Sequence, residues 1–302
     1  MRRDTLNQLL VATPPPERRD EVARLLFPSD VGHGRATKTV APSTDLELLS
    51  GLLEARRGDR TVGAVWGRSW ADGVAEVVPP WIGPDESDDT AHLLLRKLDE
   101  HLAASNMRVA FAYVPNDDSS SLTSFTENGY QQVGEMLVMA CAADNDGKMP
   151  ADDSLSFHRY QPSCRPQMRD LVERTHKGSL DFPTLDGILR ADDILVRYVD
   201  SGTEHWWFVR SADRDVGCLL LADHRQYDQC ELVYMGLVPE ARGNGWGRRI
   251  VTHALRVARK IGKQKVVLGV DTGNDPAIAV YASVGFVEQY LRGVLMKHFG
   301  SV

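Results

Sequence analysis

The stretch VPEARGNGWGRRIVTHALRVARK, residues 238–260, places three glycines between an arginine and a helical pattern rich in basic residues. A glycine-containing turn that leads from a strand into a helix allows backbone N–H groups to converge above the helix N-terminus. The helix dipole adds partial positive charge at the same point, which favours phosphate. We therefore predict an anion-binding turn between Arg242 and Arg248.

Two other phosphate-binding loops fit this turn poorly. A dinucleotide-binding loop, G-x-G-x-x-G, requires a third glycine where the chain has Arg248. A Walker-type loop requires Gly-Lys followed by Ser or Thr, and the sequence lacks that run. The pattern that remains is R-x-x-G-x-G, formed by Arg242, Gly245 and Gly247 after a strand-like segment.

Hydrophobic periodicity predicts the same order of strands and helices in each half of the chain. In the second half the parts are VGCLLLAD, CELVYMGLV, a helix over 248–262, KVVLGVD, a short helix over 276–283 and YLRGVLMKHF. In the first half they are VGAVWGRS, GVAEVVPPWI, a helix over 90–105, RVAFAYV, a short helix ending in ENGY and QVGEMLVMACA. This order indicates a mixed α/β fold that is duplicated within the chain, with chance recurrence of a common order as the alternative.

A polar, charged run separates the two series, AADNDGKMPADDS at residues 142–154. Such composition is typical of a linker, so we place one domain at 1–143, a linker at 144–154 and a second domain at 155–302. A length of 302 residues is sufficient for two domains with a core each.

Composition and charge exclude several classes of protein. Residues 1–150 carry 15 Lys and Arg against 23 Asp and Glu, and the remainder carries 20 against 19, so neither half has the basic excess that a nucleic-acid partner requires. The apolar run at Leu9–Ala12 is too short for a secretory signal, and none spans a bilayer. We expect a cytoplasmic protein with a mobile amino-terminal arm and no membrane partner. The spacing of its Cys, His, Asp and Glu residues indicates no metal site.

Together with the downstream run VDTGNDPAIAVYASVGF, residues 270–286, the R-x-x-G-x-G turn resembles the GNAT superfamily of acyl-CoA-dependent N-acyltransferases. The resemblance implies acetyl-CoA as co-substrate, with its pyrophosphate held by the amides of the turn, at Arg242, Gly243, Asn244, Gly245, Trp246, Gly247 and Arg248. It also implies that the pantetheine arm inserts beside Met235 and Leu237, where two strands separate. Asn274 is expected either to hydrogen-bond that arm or to close a turn.

The same resemblance implies two catalytic residues. Glu231, four residues before Met235, occupies the position of a glutamate general base, and Tyr281 that of a donor to the leaving thiolate. An alkyl amine with a pKa of about 10.4 is almost fully protonated at pH 7, so a nearby carboxylate would assist its attack. The alternatives are a glutamate that faces solvent at a strand end and a tyrosine ring that packs under the short helix. Substrate recognition is expected between His176 and Trp207, with Asp181 as a candidate partner for a cationic amine.

The first half has PPWIGPDESDDT, residues 79–90, where the second half has the glycine turn. Its acids, Asp85, Glu86, Asp88 and Asp89, would repel a pyrophosphate, and its prolines remove N–H donors. We therefore expect a degenerate GNAT-like domain with a structural or cleft-forming role, as in tandem acetyltransferases of the mycothiol synthase type.

The sequence as a whole predicts an acetyl-CoA-dependent N-acetyltransferase. It would transfer acetyl to the primary amine of a small molecule or peptide by direct attack in a ternary complex. The alternative is a non-catalytic coenzyme A-binding sensor or interaction module. Neither the acceptor nor the oligomeric state is indicated by the sequence.

Overall fold

The computed structural model describes residues 8–27, 50–70, 73–145, 154–199, 202–224 and 227–300. The chain divides into two compact units, which consist of Met1–Val133 with Arg292–Val302, and of Gly134–Leu291. Residues 146–153, which make up most of the expected linker, lie outside the described residues.

The strands and helices follow in this order: β1 (Leu9–Ala12), α1 (Pro16–Leu26), β2 (Leu52–Arg57), β3 (Arg60–Ser69), β4 (Val74–Ile82), α2 (Asp88–Ala104), β5 (Val109–Pro115), α3 (Ser119–Glu127), β6 (Gln131–Ala142), β7 (Ser156–Arg159), α4 (Arg165–His176), α5 (Ala191–Val199), β8 (Trp206–Ser211), β9 (Arg214–His224), β10 (Gln229–Leu237), α6 (Trp246–Lys260), β11 (Lys265–Asp271), α7 (Asp275–Val284) and β12 (Val287–His298).

In the first unit, the described strands follow the order β1-β2-β3-β4-β5 and then the carboxyl-terminal part of β12. Only β4 and β5 pair in parallel, and the other recorded pairs are antiparallel. Leucines of α2 at 94, 95, 98 and 102 share one helical face and pack in the core with Ala75 and Val77 of β4. Val22 of α1 packs instead with Trp66 and Val78, so the two helices cover opposite faces of the sheet.

In the second unit, the described strands follow the order β7-β8-β9-β10-β11-β6. Here only β10 and β11 pair in parallel, among antiparallel neighbours. Residues of α6 at 250, 251, 254, 255 and 258 form the core on one face of the sheet, together with Leu219 and Leu221 of β9. Residues of α4 at 168, 171 and 172 form the core on the other face with Cys218 and Leu220. The unit therefore has three layers, with helices on both sides of a mixed sheet.

The two units repeat one topology, as the sequence predicts. Each has four antiparallel strands, a fifth strand parallel to the fourth, and a sixth that is antiparallel to the fifth. The sixth strand of each unit, however, comes from the other half of the chain. Residues 136–142 of β6 pair with β11 in the second unit, and residues 292–298 of β12 pair with β5 in the first. The units therefore differ from the expected division at residue 143, because strand pairing and not chain order determines which sheet a strand joins.

The expectation of a mobile amino-terminal arm was wrong for the residues described there. Leu9–Ala12 form β1, which pairs with Glu54–Arg57 of β2. Helix α1 then begins at Pro16, where proline is tolerated because the first turn has no N–H partner to lose. Among the helices of the described residues, none is long and apolar enough to cross a membrane.

Candidate active site

Strands β10 and β11 separate after three residue pairs. Gln229–Glu231 lie parallel to Lys265–Val267, and the recorded parallel register ends there. A register shift between Leu232 and Tyr234 marks a bulge in β10 against β9. Because a bulge bends its strand and increases the local twist, it accounts for the opening between β10 and β11 beyond Glu231.

The amides of Met235 and Leu237 point into this opening. Val238 donates its N–H to the carbonyl of Val216 on the β9 side at 3.0 Å. Amide directions alternate along a strand, so the N–H groups of Met235 and Leu237 point the other way, toward the side from which β11 has diverged. Both residues therefore line the opening between β10 and β11.

The opposite wall of the opening is formed by the end of β11. Thr272 donates its N–H to Glu135 on the β6 side at 3.0 Å, so by the same alternation the Asp271 N–H faces the opening. Asp181 accepts this N–H through Oδ1 at 3.0 Å. The neighbouring Phe182 N–H donates to Asp271 Oδ2, also at 3.0 Å. The segment after α4 therefore reaches the opening, and the Asp181 carboxylate is already bound to a backbone amide.

The glycine turn lies at the end of β10, directly before α6. Gly243 and Gly245 have φ of 81° and 73°, the left-handed conformation that favours glycine. A Cβ added at either glycine would meet nothing within 4 Å. Gly245 is the N-cap of α6, and among the described residues no side chain caps this end. The amides of the first turn, from Trp246 to Arg248, are therefore open to an anion from outside the chain.

The Arg242 side chain points away from the anion position. Its guanidinium donates to the carbonyls of Thr175 at 2.9 Å, Lys177 at 2.8 Å and Gly178 at 2.8 Å. It also donates to Leu237 at 3.2 Å. The side chain therefore ties the turn to the end of α4, where carbonyls attract a cation.

Other side chains of the turn have structural contacts. Trp246 packs against the cores on both faces of the sheet. Asn244 donates through Nδ2 to the carbonyl of Ala241 at 3.1 Å. Gly247 lies against α7, where an added Cβ would stand 3.5 Å from the Val280 methyl groups. These contacts fix the turn while leaving its glycine amides exposed.

Asn274 is the N-cap of α7. Its side-chain oxygen accepts the N–H of Ala277 at 3.3 Å. The sequence left two roles open for Asn274. In the structure its side-chain oxygen closes a turn. Its Nδ2 group can still donate to a coenzyme arm.

Glu231 is a buried carboxylate, only 5% exposed, at the point where the opening begins. Its neighbours Cys230 and Leu232 pack in the α6 core, so Glu231 faces the α4 side of the sheet. Its Oε2 lies 2.9 Å from Nε2 of His224. A glutamate facing solvent at a strand end, the alternative from the sequence, does not describe this residue.

His224 was not predicted from the sequence as a residue of the site. The signal lay in the spacing, because His224 and Glu231 flank the turn between β9 and β10. Glu231 pairs with Ala222, two residues before His224, so the two side chains are diagonal neighbours on one face.

Tyr281 lies on α7 and is only 6% exposed. Burial, with a further contribution from the charge of Asp181, raises its pKa well above the ordinary value of 10. The hydroxyl has no hydrogen-bond partner among the described residues, while the ring packs near Phe286 at 5.8 Å between centroids. Its ring is therefore packed, as one alternative from the sequence holds, and its hydroxyl remains available as a donor near Asp181.

The corresponding turn of the first unit, between β4 and α2, holds a carboxylate of the chain itself. Glu86 accepts from Arg57 Nε at 3.0 Å and from Thr90 Oγ1 at 3.1 Å. The hydrogen bond from Arg57 lowers the pKa of Glu86, so the negative charge is fixed there. Asp88 and Asp89 add two acids to the first turn of α2. An anionic ligand would meet repulsion at this turn, in contrast to the turn before α6.

Three comparisons relate this chain to known acetyltransferases. Residues 167–286 match the acetyltransferase (GNAT) family. A mycothiol acetyltransferase from Actinosynnema mirum is 25% identical over 162 residues, which are 52% of this chain and 53% of that protein. The chain thus spans about half the length of the curated relatives it matches.

Two solved structures share the fold over nearly the whole chain. A GCN5-related N-acetyltransferase from Sphaerobacter thermophilus has a TM-score of 0.67 at 16% identity, covering 97% of this chain and 96% of its own. A tandem GNAT protein from the clavulanic acid biosynthesis pathway, without AcCoA, has a TM-score of 0.67 at 14% identity, covering 98% and 100%. The sequence match to the acetyltransferase (GNAT) family covers residues 167–286, and the two solved structures show that the chain shares their fold.

Proposed function

We propose that this chain is an acetyl-CoA-dependent N-acetyltransferase, which transfers acetyl to the primary amine of a small molecule or peptide by direct attack in a ternary complex. The observation that carries the proposal is the divergence of β10 from β11 directly before an open glycine turn. The names of the curated relatives support acetyl as the transferred group.

Each part of the coenzyme has a matching part of the site. The amides from Arg242 to Arg248 would bind the pyrophosphate, because they combine open N–H groups with the dipole of a 15-residue helix. The Met235 and Leu237 amides would form hydrogen bonds with the pantetheine arm, as they would with a neighbouring strand. A donor such as the Met235 N–H is suited to stabilise the oxyanion that forms at the thioester carbonyl.

Glu231 would act as the general base. Deprotonation at pH 7 of an ammonium with a pKa of about 10.4 costs about 4.6 kcal/mol of free energy. A carboxylate next to the opening, reached directly or through one water, would accept that proton. The burial of Glu231 on the α4 side supports this role, because its position beside the opening is fixed by the β10 backbone.

Tyr281 would donate a hydrogen bond to the departing thiolate. A coenzyme thiol has a pKa of about 8.5, and the pKa of Tyr281 is raised well above 10. Full proton transfer from this phenol to the thiolate is therefore unfavourable, whereas hydrogen-bond donation is not. The structure supports partial donation, and the thiolate would receive its proton from the amine nitrogen or from water.

The first unit would have a structural role and would not bind the coenzyme. The fixed charge of Glu86 supports this assignment. Calorimetric titration with acetyl-CoA is expected to give one site per chain. A stoichiometry of two would contradict the assignment.

Turnover distinguishes an enzyme from a coenzyme A sensor. Release of free thiol from acetyl-CoA should depend on an added amine, and initial-rate lines at several amine concentrations should intersect. Parallel lines would indicate a covalent acetyl-enzyme and count against direct attack. Tight binding with no thiol release across a panel of polyamines, amino sugars and peptides would favour the sensor.

A further inference from the structure

A buried general base requires a path for the proton it accepts. The side chain of Glu231 is 6% exposed, so bulk water has little direct access to it. A carboxylate that stayed protonated after one turnover would be unable to act in the next. The route by which Glu231 loses its proton is therefore part of the chemistry.

His224 is placed to provide that route. Its Nε2 lies 2.9 Å from Glu231 Oε2, and its side chain is 11% exposed against 6% for the glutamate. It is the last residue of β9, pairs with Gln229, and so lies nearer than Glu231 to the turn that joins β9 to β10. The imidazole thus lies between the carboxylate and the end of the hairpin. An imidazole can accept a proton on one ring nitrogen and release a proton from the other.

Lys263, a charged neighbour of His224, contacts the backbone of the hairpin and Asp223, and the imidazole contacts Glu231. Lys263, which follows α6, donates to the carbonyls of His224 at 3.2 Å and Tyr227 at 3.1 Å. Its charge pairs with Asp223 on β9 at 2.7 Å. Among the described residues, the titratable groups recorded against His224 are therefore Glu231 from β10 and Lys263, and Lys263 contacts the backbone. These bonds hold the hairpin and with it the position of the imidazole.

We propose that His224 is a positioning residue for Glu231 and relays the proton of the acceptor amine toward solvent. This inference rests on the proposed function. The ammonium first loses one proton to Glu231. As the C–N bond forms and the C–S bond breaks, the nitrogen loses a second proton, which ends on the coenzyme sulfur. Glu231 returns to its ionised form by passing the first proton to Nε2 of neutral His224 in its Nδ1–H tautomer, and the imidazolium then releases the Nδ1 proton to water.

Two substitutions of His224 distinguish its effect on the position of Glu231 from its transfer of a proton. In His224→Gln the side-chain amide can still donate to Glu231 but cannot carry a proton, whereas His224→Ala removes both functions. We expect kcat of H224Q to fall at least tenfold in dilute phosphate, with KM for acetyl-CoA within about twofold of the wild type. Added imidazole should restore part of kcat in H224A, where it has room. A matched control is His253→Gln, another half-buried histidine, which stacks on Phe157 in the α6 core and should keep the wild-type kcat.

The outcomes distinguish the relay from the proposed function. If the wild type releases no thiol with any amine, the proposed function fails. If Glu231→Gln is inactive while H224Q keeps the wild-type kcat and pH profile, the relay alone is overturned. Acetyl-CoA affinity and a thermal unfolding curve equal to those of the wild type would show that H224Q is folded. A folded H224Q with the wild-type kcat would overturn the relay.

Discussion

Tyr281 has a buried phenol whose proton is held more tightly than in water. Burial and the charge of Asp181 both raise its pKa, so the hydroxyl stays protonated over the whole neutral range. That state suits a hydrogen-bond donor and is unsuited to a residue that must give up its proton completely. The structure therefore favours a donor whose contribution does not depend on pH below about 10.

Substitution of Tyr281 by Phe should remove the donor and leave the ring packing intact. We expect kcat to fall about tenfold to a hundredfold, as one lost hydrogen bond to a developing charge implies. KM for acetyl-CoA should change little. Steady-state kinetics between pH 6 and 10 provide the measurement. A descending limb below pH 10 that is present in the wild type and absent from Y281F would contradict a raised pKa for this phenol.

Arg242→Gln tests whether the arginine side chain braces the turn or binds phosphate. The guanidinium donates to four carbonyls, so its loss should lower the free energy of unfolding by about 1–3 kcal/mol. The dissociation constant of acetyl-CoA should rise by less than about tenfold. Urea unfolding and calorimetry measure the two quantities. Unchanged stability with a hundredfold weaker complex would instead make the side chain a phosphate ligand.

Residues of the site differ in how far the sequence could predict them. The sequence predicted a strand at Glu231, Met235 and Leu237 and a short helix at Tyr281, and these elements are present, because apolar periodicity identifies them. The side-chain contacts of Arg242 and Asn274 depend on α4 and on the cap of α7, and neither contact has a local pattern. His224 depends on the register of a hairpin whose turn the sequence did not specify.

At the scale of the helix, the glycines at the two ends of α6 form a matched pair. Gly245 before the helix and Gly262 after it have φ of 73° and 81°, and an added Cβ at either position would meet nothing within 4 Å. Alanine at each position should therefore have a similar conformational cost, of about 1 kcal/mol or slightly more. Only the first position borders the proposed pyrophosphate.

We expect Gly245→Ala to weaken acetyl-CoA binding at least tenfold, while Gly262→Ala leaves the affinity within about twofold of the wild type. Calorimetry gives the affinities, and thermal unfolding checks that the two variants are destabilised alike. Equal affinities in the two variants would show that the turn before α6 does not approach the coenzyme.

Some elements that the sequence analysis missed had a readable signal. Met168, Leu171, Val172 and Thr175 of α4 are buried and have the i, i+3, i+4, i+7 spacing of a helical face. The bulge in β10 and its divergence from β11 had no such signal, since both arise from pairing with neighbouring strands. The predicted strands and helices of each half match the structure closely, because their apolar residues are buried on sheet or helix faces of regular period.

The stability of the molecule should depend on pH through His253, a half-buried histidine of α6. Burial above all, with nearby Arg256 and Arg159, lowers the pKa of His253 from 6.5 to about 4. The unfolded chain thus binds a proton below about pH 6.5 that the folded chain does not bind until about pH 4. The free energy of unfolding should fall as the pH decreases through this window, by at most about 3 kcal/mol from this residue.

Urea unfolding of the wild type and His253→Gln at pH 7 and pH 4.5 tests this dependence. The difference in stability between the two pH values should be smaller in H253Q, whatever its absolute stability. His176 and His205 will leave a residual dependence of the same sign, because burial lowers the pKa of each. An identical pH dependence in both proteins would contradict a buried, neutral His253.

The pairing of β12 with β5 predicts which unit loses stability when the carboxyl-terminal residues are removed. Removal of residues 292–302 deletes the strand that pairs with Val109–Pro115, although these residues are nearly 180 positions away in sequence. We expect the β5 amides to lose hydrogen-exchange protection by at least tenfold. A chain that ends at Gly300 keeps β12 whole and is the control. Loss of protection confined to Gly134–Leu291 would contradict the pairing.

The sequence predicted the repeat but not the origin of each sixth strand. Two copies of one series of elements are visible in chain order, because each copy has its own apolar periodicity. The residues at 136–142 and 292–298 have similar patterns, so apolar pattern alone would allow either to join either sheet. Division of the chain at its polar run therefore follows composition, whereas the units follow hydrogen bonding.

The placement of β12 also affects the order of events on the ribosome. Nascent proteins generally fold domain by domain from the amino terminus as synthesis proceeds. Here the first unit lacks its last strand until residues 292–298 have been translated, so β5 has an unpaired edge while more than half of the polypeptide is still being made. Such an edge can pair with other nascent chains. Translation speed and chaperone supply should therefore affect the yield of this protein more than its size alone would suggest.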